Sequence, residues 1–312
     1  MGNVSFGVDA FPPPSTGTPS AGGGVVGYGP DITWGDGADG DVTISAGTTT
    51  LAREMYYNSL TILNGGILKP NGMRIFVKTF TQVDAGGSLN DNGNNASGSS
   101  IGGALSAIGW MQLAAGGGGV GRSTAGAGTS ASAVANTITT NGTAFVRGGA
   151  GASASATNVG GAGGTASNGT SLPGARLFTA FQTFRAYSGS SWNGATGGGG
   201  GGATIVGPDT GTSGGGGGAG RGVWLASNTI ICNGTISANG GAGANAVGTG
   251  AAIVGGGGGG GGGIVCVQTT TAAASLTNVT ASGGLAGTSV GAVTVAAVAG
   301  NDGHRLIVEY AS

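Results

Sequence analysis

Few residues in this chain could do chemistry, and their spacing argues against most of it. His304 is the single histidine of 312 residues. A Ser-His-Asp arrangement would need it as the base, yet it follows Asn301, Asp302 and Gly303, a run that reads as a turn. Asp36, Asp39 and Asp41 form the only tight acidic cluster, at relative positions one, four and six. Helix-loop-helix calcium sites use positions one, three and five and close with a downstream Glu, so a turn capped by Asp side chains is the expectation. Cys232 and Cys266 each sit in a short apolar run, which favours free, buried thiols acting as small hydrophobes. One His and two separated Cys offer no zinc site. The glycine runs do not continue into Lys-Ser or Lys-Thr, so they are not phosphate-binding loops. Paired carboxylates for glycan cleavage are disfavoured, because no Asp or Glu occurs between residues 92 and 208. No catalytic residue and no cofactor is assigned, and the chain is expected not to be an enzyme.

What remains is surface. Trp192 lies in the polar stretch Ser190-Ser191-Trp192-Asn193-Gly194, and Tyr187 is nearby. Such rings pair a flat apolar face with a polar edge, and both residues are candidates for contact with a sugar. Trp110 and Trp224 sit in apolar runs and are expected in the core.

Composition narrows the class. Glycine supplies 77 residues and charged residues only 7%. A disordered chain is normally polar and highly charged. An uncharged chain of this kind must use its glycines inside an ordered fold. Each ordered glycine costs roughly 0.5–1 kcal/mol relative to alanine. Dense backbone hydrogen bonding or assembly has to offset that, so a homo-oligomer is expected. The net charge of −1 gives no electrostatic case for nucleic acid or an anionic membrane. Arg122, Arg147, Arg176 and Arg185 are the only charges across the acid-free span and read as solvated edge residues. No segment has the roughly 20 apolar residues of a membrane span. The N-terminus lacks the basic and apolar regions of a signal peptide.

Three regions are expected. Residues 1–30, centred on Pro12-Pro13-Pro14, read as an extended arm. Residues 31–92 read as a β-rich domain. The alternating runs Asp41–Ser45 and Leu60–Ile62 lead to the turn Asn64-Gly65-Gly66; the run Arg74–Lys78 follows, and Val83 leads into the turn Ala85-Gly86-Gly87. Residues 93–312 read as a glycine-rich repeat body. In each unit a polyglycine run leads into a short apolar strand, a polar β segment and a Gly-Gly turn. One unit runs through Gly214–Gly218, Val223-Trp224-Leu225 and Gly234–Gly241; the next through Gly255–Gly263, Ile264–Val267 and Leu276–Gly284. Aligned on the polyglycine end, Cys266 falls opposite Leu225. A weaker copy spans residues 138–149. The period predicts an all-β, solenoid-like or sandwich-like body with polyglycine segments as threefold helices, bonded backbone to backbone. Arg305–Tyr310 reads as a closing strand. Phe178, Phe181 and Phe184 suggest a helical turn or an aromatic loop.

Residues 50–75, from Thr50-Leu51-Ala52-Arg53-Glu54-Met55-Tyr56-Tyr57 through Leu68-Lys69-Pro70-Asn71-Gly72-Met73-Arg74-Ile75, resemble a segment of glycine-rich virion proteins of tailed bacteriophages. Residues 214–287 are similar to the polyglycine-plus-strand units of those proteins and of some bacterial surface β-solenoids. The resemblance implies a virion structural protein, made in the host cytoplasm: a tail fibre or tip, a receptor-binding adhesin, or a capsid decoration protein. A homotrimer is expected, joined to other virion proteins through residues 1–30, with a host surface glycan as a further candidate partner. A cellular adhesin or an ice-binding protein is the remaining reading, prompted by Thr48-Thr49-Thr50.

Overall fold

The computed structural model describes residues 34–105, 118–130, 148–161, 195, 197–205 and 209–310. The expected arm at 1–30, Trp110, the aromatic segment at 178–187 and Trp192 lie outside them, as do Arg147, Arg176 and Arg185. The fold is all-β, and a 3-10 turn at Ala273–Ser275 is the one helical element among the described residues.

Two parallel sheets form the base. The first orders β1 (Asp41–Ile44), β3 (Met55–Ile62), β5 (Arg74–Val83), β9 (Gly222–Cys232), β13 (Ile264–Thr269) and β15 (His304–Glu309) side by side. The second orders β2 (Gly47–Thr50), β4 (Gly66–Lys69), β6 (Ser88–Asn90), β10 (Thr235–Ser237) and β14 (Val279–Thr280). The chain therefore crosses from the first sheet to the second on each pass and advances by one strand. Alternation explains why these residues form these strands. Leu60, Ile62, Ile75, Val77, Leu225, Val265 and Val267 point inward from one sheet; Leu68, Leu89, Ile236 and Val279 meet them from the other. Each fully buried aliphatic side chain contributes about 1.5–3 kcal/mol. Beside this core Thr81 and Ser227 are fully buried and satisfy each other, with 2.9 Å between their hydroxyls.

The corners between sheets are tight. Gly65 and Gly86 take φ of 80° and 83°, the left-handed region that glycine alone enters cheaply. The expected turns at Asn64–Gly66 and Ala85–Gly87 are thus present, and so is the closing strand, at His304–Glu309.

The strand register corrects one expectation. Cys266 lies opposite Trp224, and Leu225 is paired with Val267. Glycine runs carry no side-chain phase, so their ends are a poor reference for aligning the strands that follow. Trp224 and Cys266 are both buried, as their apolar context implies.

The glycine runs are not sheet strands. They form an extended array bonded through backbone groups. Along Gly255–Gly263 the N–H direction repeats every three residues. Gly255 and Gly258 donate to Gly202 and Gly199; Gly257 and Gly260 donate to Ala244 and Gly241; Gly259 and Gly262 donate to Val298 and Asn301. The carbonyls of the same run accept from Gly214 and Gly217, from Gly287 and Gly284, and from Ala152 and Gly149. A period of three is that of the polyproline-type helix, which has no internal hydrogen bonds and so offers every group outward. Glycine is required by close approach. A Cβ on Gly257 would run into the Gly215 carbonyl, and one on Gly259 into that of Gly284. Asparagines rivet the array's flank: Asn92 Oδ1 accepts from the Asn239 N–H at 2.7 Å, and Asn239 Oδ1 from the Ser282 N–H at 2.8 Å.

Candidate functional site

The residues singled out for chemistry are taken up by structure. Asp36 Oδ1 accepts from the Ala38 N–H at 3.0 Å, the capped turn expected of this cluster. Asp39 accepts two guanidinium bonds from Arg53, at 2.6 and 3.0 Å, and one from the Tyr56 N–H at 2.7 Å. Those bonds, led by Arg53, hold its carboxyl below the usual range. Asp41 accepts from the Ser59 hydroxyl and the Asn58 amide, each at 2.7 Å, which lowers its pKa as well. The segment around residues 50–75 thus supplies the partners of the acidic turn. Within it Glu54 holds Arg74 at 2.5 and 2.8 Å, and the Arg74 guanidinium lies 5.3 Å from the centre of the Phe76 ring.

His304 is not in a turn. It is the first residue of β15, where its N–H donates to the Gly263 carbonyl at 2.9 Å. The polyglycine run before β13 provides that acceptor, and this pairing extends the sheet one residue further than the turn-like sequence suggests. Burial lowers the imidazole pKa by disfavouring the cation. Cys232 is half-buried and Cys266 buried, both as free thiols. Burial pushes the Cys232 thiol up to about 11 and the Cys266 thiol higher still. Neither has the electropositive, accessible setting of a reactive cysteine. Among the described residues no three His, Cys, Asp or Glu side chains converge on a possible metal position. Of the candidate sugar contacts, Trp192 and Tyr187 both lie outside the described residues.

The arrangement that sequence reasoning missed lies at the end of the array far from the sheets. The array segment Gly255–Gly263 runs directly into β13, so its other end stands roughly 28 Å away at 3.1 Å per residue. There the turns bond to one another. β7 (Ala203–Thr204) pairs with β12 (Ile253–Val254), and β8 (Gly211–Thr212) with β11 (Val247–Gly248). Gly126 bridges to Ala203, and Val254 bridges to Val290. A small apolar plug of Ala203, Ala246, Ala252 and Val254, with Ile205 and Val290 against it, fixes these turns.

Between the turns lies an open cleft of about 450 Å³, lined by residues 123–125, Ile205, residues 209–212 and residues 247–249. Its rim is ordered by hydroxyls. Thr210 and Thr249 Oγ1 atoms are 3.1 Å apart, and the Thr249 N–H donates to the Thr210 carbonyl at 2.9 Å. Asp209 Oδ2 accepts from the Ala251 N–H at 3.0 Å, next to Gly250 with φ of 61°. The signal in the sequence is slight: Asp209-Thr210-Gly211-Thr212 and Val247-Gly248-Thr249-Gly250 both mix threonine with glycine. Nothing in either says that they meet.

No family model, curated protein or solved structure matches the chain. The fold and the chemistry of its surfaces are therefore the basis for its function.

Proposed function

We propose that the chain is a non-enzymatic virion structural protein of a tailed bacteriophage that presents a surface to the host. In this reading the two parallel sheets are coils of a short β-solenoid, and the glycine array is a stiff pedestal grown from it. One observation carries the reading. The chain leaves the base after Asp91, Ala238 and Ala281, and returns at Arg221, Gly263 and Gly303. Each excursion ends in turns that meet at the far end. A rigid scaffold that gathers turns from several segments at one end suits a recognition surface.

The pedestal suits exposure outside a cell. Its cohesion comes from backbone hydrogen bonds and close packing, with few side chains for a protease or an oxidant to attack. The display role includes assembly as a homo-oligomer, a trimer by expectation, with residues 1–30 joining other virion proteins.

Two measurements test this. Antibody against the purified chain should decorate intact particles, at the tail tip for the fibre or adhesin reading and on the head for the decoration reading. The purified protein should bind host cells without cleaving their glycans. Particles devoid of the chain, or a monomer that hydrolyses host polysaccharide, would sink the proposal.

A further inference from the structure

We propose that the cleft at the far end of the array binds a neutral, polyhydroxylated ligand of the size of one or two sugar rings. The inference deepens the display reading and rests on it for biological meaning.

The chemistry of the walls selects the ligand. Ser123, Thr124, Thr210, Thr212 and Thr249 supply hydroxyls, and Asp209 is the one ionisable residue among the described residues of the lining. Each hydroxyl can donate and accept, which matches a ligand whose groups do the same. Among the described residues no cationic side chain lines the cleft, so a phosphate or an acidic sugar would meet the Asp209 carboxylate without a counter-charge from them. The neighbouring Arg122 is not part of the lining, and its Nε donates to the Ala127 carbonyl at 2.7 Å. Ile205, Ala125 and Val247 add a modest apolar surface, enough for the C–H face of a pyranose and too little for a lipid chain.

Asp209 has a defined role. The Ala251 N–H fixes one carboxylate oxygen. A carboxylate so oriented can accept from adjacent ligand hydroxyls, and bonds to an ionised acceptor are about twice as strong as neutral ones. The cleft is also built before the ligand arrives. The β8–β11 pair, the Thr210–Thr249 contacts and the alanine plug hold its walls. Little ordering remains to be done on binding, which favours even a weak ligand. The volume of about 450 Å³ falls within the range of small-molecule sites.

The test uses the full chain and saturation-transfer NMR. The probes are methyl glycosides of glucose, galactose and mannose, set against N-acetylneuraminate and inorganic phosphate. At least one neutral glycoside should show transfer with a millimolar Kd. Thr212→Val, which removes a hydroxyl while keeping the shape, should weaken it several-fold. Ala125→Trp, which fills the cleft while leaving every polar side chain of its lining in the sequence, should abolish it. No transfer from any neutral glycoside overturns the proposal, as does binding unchanged by Ala125→Trp or a preference for the anionic probes. The same Ala125→Trp protein separates the two readings. If it loses glycoside binding but still adheres to host cells, the ligand assignment stands and adhesion belongs to other turns. If wild type binds glycosides but is missing from particles, only the display reading falls.

Discussion

Asp91 and Arg221 stand 130 residues apart in the sequence and form a bidentate pair, with contacts of 2.7 and 2.8 Å. Their side chains are only 3% and 4% exposed. Asp91 directly follows β6 and Arg221 directly precedes β9, so the pair closes the base where the longest glycine-rich excursion departs and returns. Arg221 Nη2 also donates to Asn71 Oδ1 at 2.7 Å, and its backbone N–H donates to the Asp91 carbonyl at 3.0 Å. A buried guanidinium with this many partners is well compensated, but removing one partner leaves an isolated charge. Asp91→Ala or Arg221→Ala should therefore cost about 3–5 kcal/mol. The exposed pair of Arg53 with Asp39 offers the contrast. Arg53→Ala should cost far less, since Arg53 is 61% exposed and solvent screens its pair. Chemical denaturation of the three variants checks the order.

Substitutions in the glycine array should reverse the usual sign. Alanine for glycine in an extended segment normally stabilises by about 0.4–1 kcal/mol through the unfolded state. At Gly257 the added methyl meets the Gly215 carbonyl, which is held on both sides and cannot retreat. Gly257→Ala should destabilise by about 1–3 kcal/mol or prevent folding. Gly103→Ala is the control, because its Cβ would find only the Asn94 amide at 3.6 Å. Hydrogen exchange gives a second readout. The amides of Gly255, Gly257–Gly260, Gly262 and Gly263 donate to backbone carbonyls of the array and should exchange slowly. Fast exchange throughout that run would contradict the bonded array.

How much of this the sequence revealed depends on whether a feature leaves a side-chain trace. The strands around Ile75, Val223 and Val265 were legible as short apolar runs, which fit strands buried on both faces of a parallel sheet. The turns at Gly65 and Gly86 were legible because left-handed backbone demands glycine. The threefold habit of the glycine runs could be argued from composition, but their neighbours could not, since every run looks alike. The Cys266 register slipped by one residue for the same reason. Asp91 and Arg221 carry a faint mark: one is the last acid before the acid-free span, the other adjoins a strand. The cleft left only the threonine–glycine mixture of its turns, because three turns from distant segments make it.

Thiol chemistry should follow burial. At pH 8 a free thiol with its pKa near 11 is almost wholly protonated, so Cys232 should react with a disulfide reagent far more slowly than an exposed cysteine. Cys266, fully enclosed beside Trp224, should react only on unfolding. Titration of native and denatured protein with a chromogenic disulfide distinguishes the two. Rapid modification of both in the native state would mean that the first sheet opens at β13.

Acid should weaken the fold in two separate steps. Burial lowers the His304 pKa in the folded state, so between that value and the unfolded 6.5 the unfolded chain binds more protons. Stability is then complete above pH 6.5 and falls as pH drops through the lowered value. Asp39 and Asp41 follow the same sign at lower pH. Their bonds to Arg53, Tyr56, Ser59 and Asn58 depress both pKa values, so their contribution is present above 3.8 and lost as pH falls through the folded values. His304→Gln should flatten the first step and leave the second. Urea midpoints measured from pH 8 to pH 3 read both. An unchanged profile between pH 6.5 and 5 in wild type would show that the imbalance at β15 is relieved by a bond that stabilises the imidazolium.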